Sequence, residues 1–349
     1  MHLGVSMLDI LMQYALFLAK AITMVIAIGI IIAMVVGSTR KERAGEKLEV
    51  RNINNKYKAM AEILRGELLS RKELKQWEKS DKTKKKKEDK QQKTDGGSDS
   101  RKRVFVLDFD GDIKATACAA LREEITAVLG LATGKDEVVV RLESAGGLVH
   151  EHGLAASQLM RIRQREIPLT VTVDKVAASG GYMMACVANH IVAAPFAVVG
   201  SIGVLAQLPN FHRLLDRHGI DFEQIKAGDF KRTVTFFGEN TDKDREKLKE
   251  ELEETHELFK AFIMENRSGL DIARVSTGEH WYGTRALELK LVDELMTSDD
   301  YLLAASEKAD LYEVSYTAKK SVSERIAAAV QAVVEKAISS FRNAFFYGG

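Results

Sequence analysis

From residue 104 onward, short apolar runs alternate with longer stretches in which apolar positions recur every three or four residues. Residues 104–109 (Val-Phe-Val-Leu-Asp-Phe), 137–142, 169–173 and 190–194 read as strands of a covered sheet. Between them, residues 115–131 carry Leu121, Ile125, Val128 and Leu129 on one helical face, and residues 148–166 and 182–189 also read as helices. Strands and helices in strict alternation predict βαβ units and a parallel sheet flanked by helices. Beyond a strand-like segment at 221–225, the C-terminal third is mainly helical. Residues 242–266 form a long charged helix with a stripe of Leu248, Leu252, Leu258, Phe259 and Phe262, and a shorter helix covers 282–288. Residues 322–346 place Ile326, Val330, Val333, Val334, Ile338 and Phe341 on one side of an amphipathic helix suited to a partner subunit or a membrane interface.

The N-terminal hundred residues have a different pattern. Residues 21–37 carry no charge and, extended by Leu16 to Ala19, reach the length of a transmembrane helix, with Lys20 able to snorkel. A cleaved signal peptide fits less well: the apolar run is long, basic residues are missing before it, and no small-x-small site precedes Ser38. Arg40, Lys41, Arg43 and Lys47 follow directly, which by the positive-inside rule puts the following domain in the cytoplasm. Around 57–74, Met60, Ile63, Leu64 and Leu68 recur at helical spacing; then come the lysines of 82–87 and a Gly-Gly-Ser-Asp-Ser linker at 96–100. The expected organisation is a membrane anchor at 1–39, a charged helix and linker at 40–101, a compact α/β domain at 102–300, and a strand plus amphipathic helix at 301–349. The chain has 51 Lys and Arg against 50 Asp and Glu, so its basic tract is a local tether and no nucleic acid is expected as a partner. Cys118 and Cys186 lie in apolar stretches and read as small buried residues.

The candidate chemistry centres on Ala178-Ser179-Gly180-Gly181-Tyr182, where one serine separates an apolar strand from an apolar helix. A serine there either caps the helix or points its hydroxyl into a cleft, with the following N–H groups placed to hold an oxyanion. Gly146-Gly147 closes another strand with no side chain to block its amides. His150 and His152 follow that turn, and His190, His212, His218, His256 and His280 are scattered, none in a triad signature. HEXXH, CXXC and phosphate-loop patterns are absent, so neither a metal nor a nucleotide or other cofactor is expected.

Four motifs occur in a fixed order: Glu143-Ser144-Ala145-Gly146-Gly147, Ala178-Ser179-Gly180-Gly181-Tyr182, Gly200-Ser201-Ile202-Gly203-Val204 and Gly228-Asp229-Phe230-Lys231. In this the chain resembles the signal peptide peptidase family of bacterial membrane serine proteases, the family of protease IV and peptidase family S49. The resemblance covers residues 104–295 at least. It implies a ClpP/crotonase-like domain of repeated ββα units with a helical C-terminal part, behind an N-terminal transmembrane helix. Carried over residue by residue, it makes Ser179 the nucleophile, Lys231 its general base and Ser201 the residue that orients the lysine. Gly146, Gly147 and the Gly180 amide match the oxyanion hole. Ala145 stands where many members have proline, and Glu143 where asparagine is frequent.

The implied activity is that of a membrane-anchored serine endopeptidase in the bacterial inner membrane, cleaving short or unfolded hydrophobic peptides such as signal-peptide remnants. The family is generally described as facing the periplasm, opposite to the side the flanking charges favour. Short members form rings with nucleophile and base meeting at subunit contacts, so a homo-oligomer is implied. The chemistry makes one demand. A lysine in water, with a pKa of about 10.4, is protonated at neutral pH and acts as a base only where burial disfavours its charge. Two other readings use the same glycines: a crotonase-like acyl-CoA enzyme, and a non-catalytic membrane scaffold.

Overall fold

The computed structural model describes residues 17, 18, 20, 47–77, 79–80, 101–228 and 230–317. The chain divides into a compact unit of residues 48–316 and a second unit made of the two termini, most of which lies outside the described residues. The strands are β1 Lys47–Asn52, β2 Arg103–Gly111, β3 Glu137–Ser144, β4 Leu169–Val173, β5 Val176–Ala178, β6 His190–Ala193, β7 Val198–Gly200, β8 His280–Tyr282, β9 Glu294–Leu295 and β10 Asp310–Thr317. The helices are α1 Ile53–Leu68, α2 Cys118–Leu129, α3 Val149–Arg163, α4 Gly180–Ala185, α5 His212–Arg217, α6 Asp242–Asn266, α7 Ile272–Val275, α8 Gly283–Glu288 and α9 Ser298–Lys308.

The main sheet runs β1-β10-β2-β3-β4-β6-β9. From β10 to β9 its neighbours are parallel, as the alternating pattern predicts. The central strands are mostly apolar because both faces are largely covered, with Asp108 and Arg141 marking where the cover ends. Phe105, Leu107 and Phe109 of β2 point to one face and pack with Leu121 and Ile125 of α2 and Leu159 of α3. Val104 and Val106, on the opposite face, pack with Ile53 of α1 and Leu302 of α9. Each fully buried Leu, Ile or Phe of this kind contributes about 1.5–3 kcal/mol, so the sheet is a rigid platform for whatever its strand ends carry.

Three features depart from the sequence pattern. The strand expected at 169–173 is β4, but beyond exposed Asp174 and Lys175 the chain adds a short unexpected strand, β5, with different partners, before Ser179. Residues 221–225 form no strand; Ile225 is 95% exposed, with no sheet edge beside it to pair with. The helix expected at 57–74 begins earlier, as α1. Buried Asn54 fixes that start by donating to Ser306 O and Ala309 O, both at 3.0 Å, and accepting from Leu311 N at 2.7 Å. Among the described residues no helix is long and apolar enough to cross a membrane. The expected anchor at 21–37 and the expected amphipathic helix at 322–346 lie outside the described residues. Cys118 and Cys186 are buried and free.

One buried carboxyl has a consequence for stability. Glu124 of α2 is 5% exposed, and burial pushes its carboxyl up to about 7, against a weaker downward pull from the Tyr316 N–H that donates to Oε1. Its Oε2 has no partner. The folded carboxyl keeps its proton at a pH where the unfolded chain releases it. The associated stability is therefore complete below about pH 4.5 and is lost as pH rises through 7, a swing of about 3 kcal/mol. Glu124→Gln keeps the Oε1 acceptor without the charge. Thermal denaturation should give a Tm matching wild type at pH 5 and exceeding it by roughly 5–10 °C at pH 8.5. Equal Tm values at both pH values would contradict this.

Candidate active site

The short strand β5 lies between β3 and β7, and its register assembles the site. Ser144 pairs with Ala177, so two residues further along each parallel chain Gly146 comes beside Ser179. On the other side Ala178 pairs with Gly200, so the next residues, Ser179 and Ser201, are neighbours, and Ser179 N–H donates to Gly200 O at 2.8 Å. An ion pair braces this junction: exposed Lys175, just before β5, donates to both carboxylate oxygens of Glu143 on β3 at 3.0 and 2.9 Å. Glu143 therefore acts in the scaffold beneath the turn. Ala145 is an exposed turn residue beside it.

Ser179 does not cap α4. Its side chain makes no capping hydrogen bond, and its backbone has φ 52° and ψ −118°. A non-glycine residue held there costs on the order of 1–3 kcal/mol, a strain that persists only where the surroundings over-determine it. Here they do, through the Gly200 contact before the turn and the Met183 N–H that donates to Ser179 O at 3.0 Å after it. Ser201 repeats the conformation at φ 51°, its N–H donating to Glu279 O at 2.7 Å. Both serines are half-buried. The capping reading of Ser179 is excluded by this geometry.

The glycines are there because neighbouring backbone and, at Gly180, the His152 ring leave no room for a side chain. A Cβ on Gly146, at φ +88°, would lie 2.7 Å from Ser179 Cβ and 2.8 Å from Gly180 N. One on Gly147 would lie 2.2 Å from Ile113 O, in the loop after β2. Gly180 would strike the His152 ring at 2.5 Å. The Gly180 N–H, at the first residue of α4, has no acceptor within its own helix. Gly146, Gly147, Gly180 and Ser179 thus form one crowded junction of backbone, where amides can approach a substrate carbonyl closely.

The structure adds a pair that the sequence pattern does not single out. His152 of α3 is fully buried, its Nε2 3.1 Å from Ser144 Oγ and its Nδ1 3.2 Å from Leu148 O. Gly146 N–H in turn donates to Ser144 Oγ at 3.2 Å. With both ring nitrogens engaged, His152 has no lone pair left for Ser179, which removes it as a general base. The only sequence signal for this pair is its spacing: a histidine on the first turns of the helix that follows a Ser-x-Gly-Gly strand end.

Lys231 occupies a different environment. It is exposed, its N–H donating to Gly228 O at 3.3 Å, in a long segment between β7 and α6. That segment is held by a small aromatic cluster, in which Phe211 and Phe237 stack at 6.0 Å and Phe222 joins Phe237 at 5.9 Å. Asn210 Nδ2 also bridges Thr235 O and Gly238 O at 3.0 Å. Leu205, Ile220, Ile225 and Phe230 nevertheless remain exposed. A cavity of about 640 Å³ lies between this segment and α6, and none of its lining residues belongs to the Ser179 junction. Within one chain Ser179, Ser201, Gly146, Gly147 and Gly180 come together, while Lys231 sits on an unburied arm.

Comparison with known proteins places this geometry in a family. The model of peptidase family S49, N-terminal, matches residues 9–159, and that of peptidase family S49 matches residues 161–312. The chain is 48% identical over 322 residues to the "Probable protease SohB" of Haemophilus influenzae, covering 90% of this chain and 91% of that one. It is 47% identical over 345 residues to the "Probable protease SohB" of Buchnera aphidicola, covering 93% and 95%. Two family models that together match most of the chain, and relatives aligned over nearly their full length, make this chain a member of peptidase family S49 and a peptidase.

Proposed function

We propose that the chain is a serine endopeptidase anchored in the bacterial inner membrane by residues 21–37, in which Ser179 is the nucleophile and Lys231 the general base. The observation that carries this reading is the conformation of Ser179: φ 52°, no capping bond, Gly146 and Gly180 on one side and Ser201 on the other. In the proposed cycle Lys231 Nζ takes the proton of Ser179 Oγ–H as that oxygen attacks the scissile carbonyl. The backbone N–H groups of Gly147 and Gly180 stabilise the tetrahedral oxyanion, each worth about 3 kcal/mol. The lysine returns the proton to the leaving amine; it then deprotonates a water that hydrolyses the acyl-enzyme, and Ser179 regains its hydrogen. Ser201 orients the amine. No metal or cofactor takes part, and the substrates are short or unfolded hydrophobic peptides such as signal-peptide remnants.

The exposure of Lys231 favours a site completed by a second copy. A lysine acts as a base where burial disfavours its charge, and the arm that carries Lys231 displays Leu205, Ile225 and Phe230, apolar surface that association would cover. We assign the base acting on Ser179 to the Lys231 of an adjacent subunit in a homo-oligomeric ring. The division of the sheet at β5, β7 and β8 supports the ClpP/crotonase-like assignment. The acyl-CoA and scaffold readings gain no support from relatives named as proteases.

Two measurements test the proposal. Ser179→Ala and Lys231→Ala should each abolish cleavage of a hydrophobic peptide by the purified full chain. Co-assembled in equal amounts they should recover about one quarter of wild-type activity, the share of heterologous contacts that join an intact serine to an intact lysine. A verified mixed oligomer with no recovery would place serine and lysine in one chain. Full activity in Lys231→Ala, with loss in His280→Ala, would move the base to His280, which pairs with Gly200 on β8. Gly146→Ala forces a side chain into a left-handed position against Ser179 and should lower kcat by about 100-fold or more, with the circular dichroism spectrum unchanged. A Gly146→Ala enzyme of normal kcat would remove this turn from the oxyanion site.

A further inference from the structure

The buried pair beneath the junction has a direction. Leu148 O can only accept, so the 3.2 Å contact puts the hydrogen of His152 on Nδ1. In that tautomer Nε2 is an acceptor, and Ser144 Oγ–H donates to it across 3.1 Å. With its hydrogen committed, Ser144 Oγ presents lone pairs, and Gly146 N–H donates to one of them at 3.2 Å. A single chain of bonds therefore runs from the Leu148 carbonyl through the imidazole and the Ser144 hydroxyl to the backbone of the Gly146-Gly147 turn.

The same ring also supports the other donor-bearing turn. His152 Cβ, Cγ and Cδ2 pack so closely against Gly180 that an added Cβ there would lie 2.5–2.8 Å from them. Ser144 is itself wedged in place: a Cβ on Gly111 would meet its Oγ at 2.6 Å, and one on Gly181 its carbonyl oxygen at 2.3 Å. An apolar ring in place of His152 would fill the volume, but it would leave the Ser144 hydroxyl hydrogen without its buried acceptor and so free the oxygen that holds the Gly146 N–H to turn. A merely space-filling core residue has no need of that polar chain.

We propose that His152 and Ser144 are positioning residues that set the spacing and aim of the oxyanion-binding backbone, His152 holding the Gly146-Gly147 turn through Ser144 and the Gly180 turn through direct packing. The proposal rests on Ser179 being the nucleophile whose oxyanion those amides receive. Neither residue touches the substrate; both act through the backbone they fix.

The chemistry of the two amides suggests a directional test on the purified full-length oligomer. In His152→Gln the side-chain carbonyl falls near the Nε2 position and accepts from Ser144, whereas in His152→Asn the shorter amide reaches only Leu148 O. His152→Asn and Ser144→Ala should lower kcat for peptide hydrolysis by roughly 10- to 100-fold while KM changes less than about threefold. They should weaken a peptide aldehyde, whose adduct with the serine is tetrahedral, by a similar factor. His152→Gln should recover most of both losses. The proposal is overturned if Asn and Gln behave alike, or if all three variants lose thermal stability while keeping kcat and aldehyde affinity. Ser179→Ala run alongside separates the two levels: its inactivity with unaffected His152 and Ser144 variants refutes positioning alone, and its full activity refutes the nucleophile assignment and this proposal with it.

Discussion

Three residues of parallel pairing govern this site. Because β5 is inserted between β3 and β7, with Ala177 against Ser144 and Ala178 against Gly200, the chain brings three separate turns to one point. Ser179 then has no conformational freedom left, and its left-handed backbone follows from the partners on either side. Each glycine around it sits where the backbone approach is closer than a Cβ allows. The strain is local, and the apolar sheet beneath is large enough to sustain it.

That platform explains why so short a strand can hold a demanding register. β2 and β3 are covered on both faces, and polar groups at their ends are tied to other elements. Buried Glu137, at the start of β3, accepts from Lys102 at 2.6 Å, Thr170 at 2.7 Å and Tyr301 at 2.6 Å. On the exposed side Arg141 bridges Asp108 of β2 and Glu313 of β10, linking three strands. Desolvation raises the carboxyl of Glu137, yet these hydrogen bonds outweigh it and hold the group below the usual range. β3, which carries the Gly146-Gly147 turn beyond its far end, is therefore fixed laterally at its start and middle as well as by packing.

The arm that bears Lys231 is built on the opposite principle. Its aromatic residues cluster among themselves while several large apolar side chains face outward, and the base proposed for the reaction lies among them. Rigidity where the acyl group would be handled, combined with an arm dependent on further contacts, would tie activity to assembly.

The alternation of apolar runs and helical stretches determined a parallel sheet between helices, because strands covered on both faces are mostly apolar and helices packed on a sheet are apolar along one side. The glycine pairs at 146–147 and 180–181 and the serine between strand and helix were legible for a similar reason: close backbone approach tolerates few residue types. What only the tertiary structure decided was partnership. Beyond Asp174 and Lys175 the three residues of β5 pair with different neighbours from β4, which local pattern cannot register because pairing is non-local. Asn54 fastening α1 to β10, Glu143 clamping Lys175, and His152 supporting both glycine turns are of the same kind. Each is an ordinary polar residue in sequence, made specific by groups that the fold brings from elsewhere in the chain.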